Sequence, residues 1–167
     1  MIKEATATVF VFRDSGDGEW LLGLMFHPRF GGWLTPGGHV ERDESPAEAA
    51  IRETAEELGC DIRLLAGPSA PLPAGYPHQH VPAARWIVEM PASPDNHTAE
   101  LHVHLDHVFV GLHLADARDP ETRVWWARER DVAEAPDLPE DVRMPAKELF
   151  AEIGRLARSS AGYPAAQ

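Results

Sequence analysis

The stretch Gly38 to Cys60, GHVERDESPAEAAIRETAEELGC, constrains this chain more than any other, because its second half is a short helix crowded with carboxylates. Ser45 suits the N-cap, and Glu48, three residues on, completes a capping box by accepting from the Ser45 amide. Pro46 fits the first helical position, where no amide donor is missed. Gly59 suits the left-handed residue that closes a helix. Between these ends Ala47, Ala50, Ile51, Thr54, Ala55 and Leu58 recur at helical spacing, a narrow stripe able to lie on a sheet. The other face carries Glu48, Arg52, Glu53, Glu56 and Glu57. Residues three and four apart are neighbours on a helix, so Glu53, Glu56 and Glu57 share one patch, and each like-charged pair costs ~0.2 to 0.5 kcal/mol. A hard divalent cation offsets that repulsion: Mg²⁺ takes oxygen ligands, keeps several waters and leaves positions for phosphates. The competing reading of the helix alone is a solvated acidic face.

The full spacing decides between the two. Gly38, five residues, Glu44, seven residues, Arg52-Glu53, two residues, Glu56-Glu57, one residue, Gly59: this resembles the signature box of the Nudix hydrolases, with seven identities at fixed offsets. The preceding Trp33-Leu34-Thr35-Pro36-Gly37-Gly38-His39-Val40-Glu41 is similar to the family's approach to the box. Two positions depart from the pattern. Thr54 stands where the family prefers an aliphatic residue, and Thr35 replaces the leucine common before the Pro-Gly-Gly turn. Neither removes a charge from the site.

At 167 residues and 44% hydrophobic content the chain is expected to be one domain, residues 1 to 158, followed by a flexible tail from 159 to 167. The formal charge of −12 disfavours binding to a nucleic-acid polymer, since phosphate neutralisation needs a basic surface. A phosphorylated small molecule remains compatible when metal ions reverse the local field. Cys60 is the only cysteine, so no internal disulfide forms. No run approaches the ~20 apolar residues of a membrane span, and the start lacks a signal-peptide pattern. A cytoplasmic protein without membrane contact is expected, and a homodimer is left open.

Along the chain, Thr6 to Phe12 and Trp20 to Met25 read as a hairpin, Trp33-Leu34 as a short strand, and Pro36-Gly37-Gly38 as a tight turn that presents backbone beside the acidic patch. Asp61 to Leu65 reads as a strand. Gly67 to Pro82, with Tyr76, His78 and His80, reads as an irregular surface loop. Arg85 to Met90 is a further strand, and Pro91 to Thr98 a polar loop. Leu101 to Leu114 is the longest β pattern, and period two places His102, His104, Asp106, Val108 and Val110 on one face, opposite Val103, Leu105, His107 and Phe109. Arg123 to Trp126 reads as a strand. Pro145 is expected to open the closing helix, with Leu149, Ile153 and Leu156 as its apolar stripe.

The resemblance implies an α/β fold, the Nudix α/β/α sandwich with a mixed sheet and a loop-helix-loop catalytic box. It implies hydrolysis of a pyrophosphate bond in a nucleoside diphosphate linked to another group, with Mg²⁺ as cofactor and Mn²⁺ as substitute. On this pattern Glu53, Glu56 and Glu57 are metal ligands and the Gly37 carbonyl joins them. Glu53, or a carboxylate outside the helix, is the base, while Arg52 and Glu44 orient the cluster. Gly38, His102, His104 and Asp106 are expected at the substrate, because three polar side chains on one face of a central strand are costly to bury without partners. Tyr76 sits at a position resembling that of a tyrosine in dinucleoside polyphosphate hydrolases, one alternative substrate class. Two other readings stand beside these: a nucleotide-binding sensor without turnover, and a transition-metal binder built on the nine histidines.

Overall fold

The computed structural model describes residues 2–159. Its centre is a pair of long strands, β1 (Lys3–Asp14) and β7 (His102–Asp116), which run parallel with Glu4 opposite His104 and Thr6 opposite Asp106. Both carry β-branched and aromatic residues in alternation, the composition of a strand covered on both faces. The shorter strands β2 (Trp20–His27), β3 (Gly32–Leu34), β4 (Gly37–His39), β5 (Cys60–Leu65), β6 (Trp86–Ala92) and β8 (Val124–Arg128) join antiparallel. Each central strand is shared. β1 pairs β2 over Val11–Asp14 and β4 over Thr6–Thr8, while β7 pairs β5 beyond Val110 and β6 from Val108 back to His102.

Alternation divides the core into two layers. Ala7, Val9, Val11 and Phe109 face α1 (Pro46–Glu57), whose Ala47, Ala49 and Ala50 are buried against them. Phe10, Phe12, Val108 and Val110 face α3 (Glu140–Ser159), with α2 (Glu129–Glu134) beside it. The result is the expected α/β/α sandwich around an open mixed sheet. Leu149 and Ile153 of α3 are fully buried, and truncating either to Ala would cost ~2–5 kcal/mol through the cavity left behind.

The start of α1 is as the sequence predicts. Glu48 accepts from the Ser45 amide at 2.7 Å, Ser45 Oγ accepts from the Glu48 amide at 3.3 Å, and Gly59 follows the helix with φ of 71°. Thr54, the departure from the aliphatic pattern, is buried without loss because its hydroxyl donates to the Ala50 carbonyl at 2.7 Å.

Two expectations are corrected. Gly37-Gly38 is strand rather than turn: β4 pairs Gly37 with Thr8 and Gly38 with Ala7, and the ladder continues through Val9 N–H to Pro36 O and Val40 N–H to Ala5 O, both 2.9 Å. Pro145 does not open α3 but sits inside it, five residues past Glu140. The amides of Val142 and Arg143 both donate to the Pro139 carbonyl, which starts the helix earlier. Burial of Val142, Ala146, Leu149 and Ile153 along one stripe outweighs the hydrogen bond that Pro145 cannot make. Of the expected tail only Ser159 is described, as the last residue of α3.

Candidate active site

Of the two glycines of β4, Gly37 is required by the backbone beside it and Gly38 leaves room for the Glu53 carboxylate. A Cβ on Gly37 would run into the Ala7 carbonyl, and one on Gly38 into the Glu53 carboxylate. Removing both side chains lets α1 press its acidic face against a strand edge. The Gly37 amide then donates to Glu57 Oε2 at 2.9 Å.

Arg52 organises the rest. Its guanidinium forks onto Glu44, Nε to Oε2 at 3.1 Å and Nη2 to Oε1 at 2.7 Å, and the same Nη2 donates to the His39 carbonyl at 3.1 Å. Nη1 spans Glu53 Oε1 at 2.7 Å and Glu56 Oε2 at 3.3 Å. One guanidinium therefore faces three carboxylates and has no contact with the fourth, Glu57. The hydrogen bonds from Arg52 hold Glu44 below the usual carboxylate range, against a smaller desolvation effect. Burial pushes Glu53 up despite its bond to Arg52. Burial also pushes Glu57 up to about 7, and the charges of Glu53, Glu121 and Glu56 add to the rise against the Gly37 amide.

A half-buried carboxylate driven to hold a proton near neutrality, inside an oxygen-only donor set, fits a hard divalent cation. Glu53, Glu56 and Glu57 are the side chains able to hold it. Glu121 is a residue that sequence reasoning missed. It lies outside the helix, where its amide donates to the Glu56 carbonyl at 2.9 Å, and no motif marks it.

On the far side of β4 a cleft of about 820 Å³ opens between the sheet and α3. Gly37, Gly38, His104 and Asp106 line it, with Phe10 and Trp86 supplying apolar wall and Glu140 to Glu148 of α3 facing them. Thr35 is buried along this wall, so its departure from leucine places a hydroxyl at the cleft. Asp106 is 2% exposed and accepts from Thr6 Oγ1 at 2.8 Å. Two expected substrate residues lie elsewhere. The His102 side chain is wholly buried and turned away, its Nδ1 donating to the Glu100 carbonyl at 2.9 Å. Tyr76 is half exposed in the loop after β5, packs edge-on against His78, and does not line the cleft.

A mixed sheet between two helices, with a carboxylate-rich helix locked to a double-glycine strand beside a cleft, defines a hydrolase of the α/β/α sandwich class. The family model described as the NUDIX domain matches residues 3–153, and the chain belongs to that family. Solved structures agree on the fold. A NUDIX-family hydrolase from Clostridium perfringens matches with a TM-score of 0.70 and 22% identity over 92% of this chain and 99% of that one. The NUDIX domain of Shewanella oneidensis NrtR, complexed with ADP ribose, matches at 0.57 and 19% over 92% and 90%. A C. elegans Ap4A hydrolase in a binary complex matches at 0.53 and 16% over 94% and 99%.

Proposed function

We propose that this chain, acting as a single domain, hydrolyses a pyrophosphate bond in a nucleoside diphosphate linked to another group, using Mg²⁺ or Mn²⁺. The observation that carries the proposal is that Glu57 meets Gly37 and Glu53 meets Gly38, two glycines that also line the cleft, while Arg52 joins Glu56 to Glu53. What a divalent cation supplies in such a donor set is charge neutralisation between phosphate oxygens and a more acidic water. Glu53, Glu56, Glu57 and the Gly37 carbonyl are the proposed ligands. Arg52, clamped by Glu44, fixes the carboxylates so that they need not reorganise during reaction.

The base is Glu53 or Glu121. Burial raises the proton affinity of Glu53, as a general base working near neutral pH requires, and Glu121 supplies a carboxylate outside the helix. The base takes the proton of the attacking water, and phosphorus is attacked in line with the leaving phosphate. Gly38 gives close access to the diphosphate, and Trp86 offers flat apolar surface to a base. His104 and Asp106 meet the group beyond the diphosphate. The position of Tyr76 lends no support to the dinucleoside polyphosphate alternative.

The test is a phosphate-release screen with Mg²⁺ across nucleoside triphosphates, oxidised nucleotides, nucleotide sugars and dinucleoside polyphosphates. Metal-dependent release from at least one class is expected. Nucleotide binding with no turnover in any class would instead make the chain a sensor.

A further inference from the structure

The structure holds a second gathering of chelating groups, of which His39 and His104 also border the cleft. Nε2 of His39, His102 and His104, with one oxygen each from Glu4 and Asp95, all lie within 4.8 Å of one another. His104 Nε2 is 3.7 Å from Asp95 Oδ2, and the other close separations fall around the spacing of a coordination shell. His102 Nε2 stands 3.0 Å from His104 Nε2 and 3.5 Å from both Glu4 Oε2 and Asp95 Oδ2, and His39 Nε2 is 3.1 Å from Glu4 Oε2 and 3.6 Å from Asp95 Oδ2. Four ligands on bonds of ~2.0–2.1 Å around a tetrahedral ion sit about 3.3–3.4 Å apart.

The outer contacts point the same way. His102 commits Nδ1 to the Glu100 carbonyl, which turns Nε2 inward. Asp95 commits Oδ1 to the amides of His97 and Thr98, at 2.8 and 2.9 Å, which leaves Oδ2 for the cluster. Glu4 accepts from Thr98 Oγ1 on Oε1, which leaves Oε2. Each of these three has its second polar atom tied down by a neighbour, as ligands of metal centres do. His39 is steadied by stacking on His97, with centroids 4.0 Å apart. Protons shared among the rings could hold the same group together without an ion, so the experiment must separate the two.

We propose that Glu4, His39, Asp95, His102 and His104 form a binding site for one divalent transition metal of the Zn²⁺ type, separate from the Mg²⁺ patch of α1. Three imidazoles favour such an ion over Mg²⁺, whose preference is oxygen. Any four of these five groups close a tetrahedral shell and leave no position for substrate, so the site is structural. Its ion ties β1, β4 and the start of β7 to the loop of residues 93–101. It bears on the hydrolytic site through His39, whose carbonyl holds Arg52 and whose neighbour Gly38 abuts Glu53, and through His104, which lines the cleft.

The experiment loads chelator-stripped protein with Co²⁺ or Zn²⁺ in excess Mg²⁺, counts bound metal, records the visible spectrum of the Co²⁺ form, and follows thermal unfolding. None of these depends on activity. One equivalent per chain is expected, with visible Co²⁺ bands and a higher unfolding midpoint. Asp95→Asn, in a loop and isosteric, and His104→Ala should each weaken binding at least ~10-fold, whereas Glu57→Gln should keep it. The proposal is overturned if no equivalent survives excess Mg²⁺, if Asp95→Asn and His104→Ala bind like the parent, or if Glu57→Gln abolishes the equivalent. The parent protein's midpoint needs no variant, and a midpoint unmoved by Zn²⁺ also counts against the site.

Discussion

The acidic patch of α1 and the histidine-carboxylate cluster lie on either side of His39, and they are assembled in opposite ways. The patch is local: one capped helix delivers Glu53, Glu56 and Glu57, and one arginine between them does most of the holding. The cluster is topological. Glu4 and His104 meet only because β1 and β7 pair in parallel across a hundred residues, and Asp95 arrives from a loop. The patch carries surplus negative charge, whereas the cluster sets three imidazoles against two carboxylates. A local, oxygen-only site suits an ion that exchanges during turnover, and a distributed nitrogen-rich site suits one that stays.

The largest expected effect comes from Glu57→Gln, which keeps shape while removing a charge and a hard ligand. Turnover should fall by at least ~10² with the fold retained. Steady-state kinetics at saturating metal measures it, and an unchanged rate would remove the helix from the mechanism. The same substitution should stabilise the metal-free protein at pH 8. Folded Glu57 titrates near 7 against an ordinary value of 4.5, so between those values the folded chain binds more protons than the unfolded one. Metal-free stability therefore falls as pH rises from 4.5 to 7, and Mg²⁺ should restore it. Thermal midpoints across that range test the sign, at ~2–4 °C per kcal/mol for a chain of this size.

Arg52→Lys comes next, with a loss of ~10-fold or more, because an ammonium cannot fork onto Glu44 while bridging Glu53 and Glu56. A kinetic profile should then show metal affinity rising with pH through 7, as the cation competes with the Glu57 proton. Activity at limiting Mg²⁺ that peaks near pH 5 would contradict this. Asp106→Asn should reorder substrates while leaving Mg²⁺ affinity nearly intact. The smallest effect is expected for Tyr76→Ala, with kcat/KM within ~2-fold of the parent for the best substrate. If Asp95→Asn and Glu57→Gln combine with non-additive midpoints, the two clusters are coupled through His39 and are not independent.

What the sequence could disclose follows the same division. The box was legible because its residues fall within one short stretch built on a single helix whose period and caps are local rules, and the capping box formed as read. Alternation correctly set His104 and Asp106 on one face of β7, yet it could not show that the face divides, with Asp106 taken by Thr6 and the histidines by Glu4 and Asp95. Parallel pairing between distant strands leaves no mark in either strand. Glu121 and Asp95 escaped for a related reason, since loop carboxylates have no period. Pro145 misled because a preference for first helical positions is weaker than a buried stripe that begins at Val142.

The parallel pairing of β1 with β7 also sets an order of events during synthesis. The acidic helix carries its own caps and needs only β1, already made, to cover its apolar stripe. Its backing strand β1 is then still without the partner that fixes its other edge, because Thr6 must wait for Asp106, a hundred residues later. The cleft comes later still, since one of its walls is α3. A nascent chain thus holds a patch of like charges before it has a site, and contacts of such long range fold slowly.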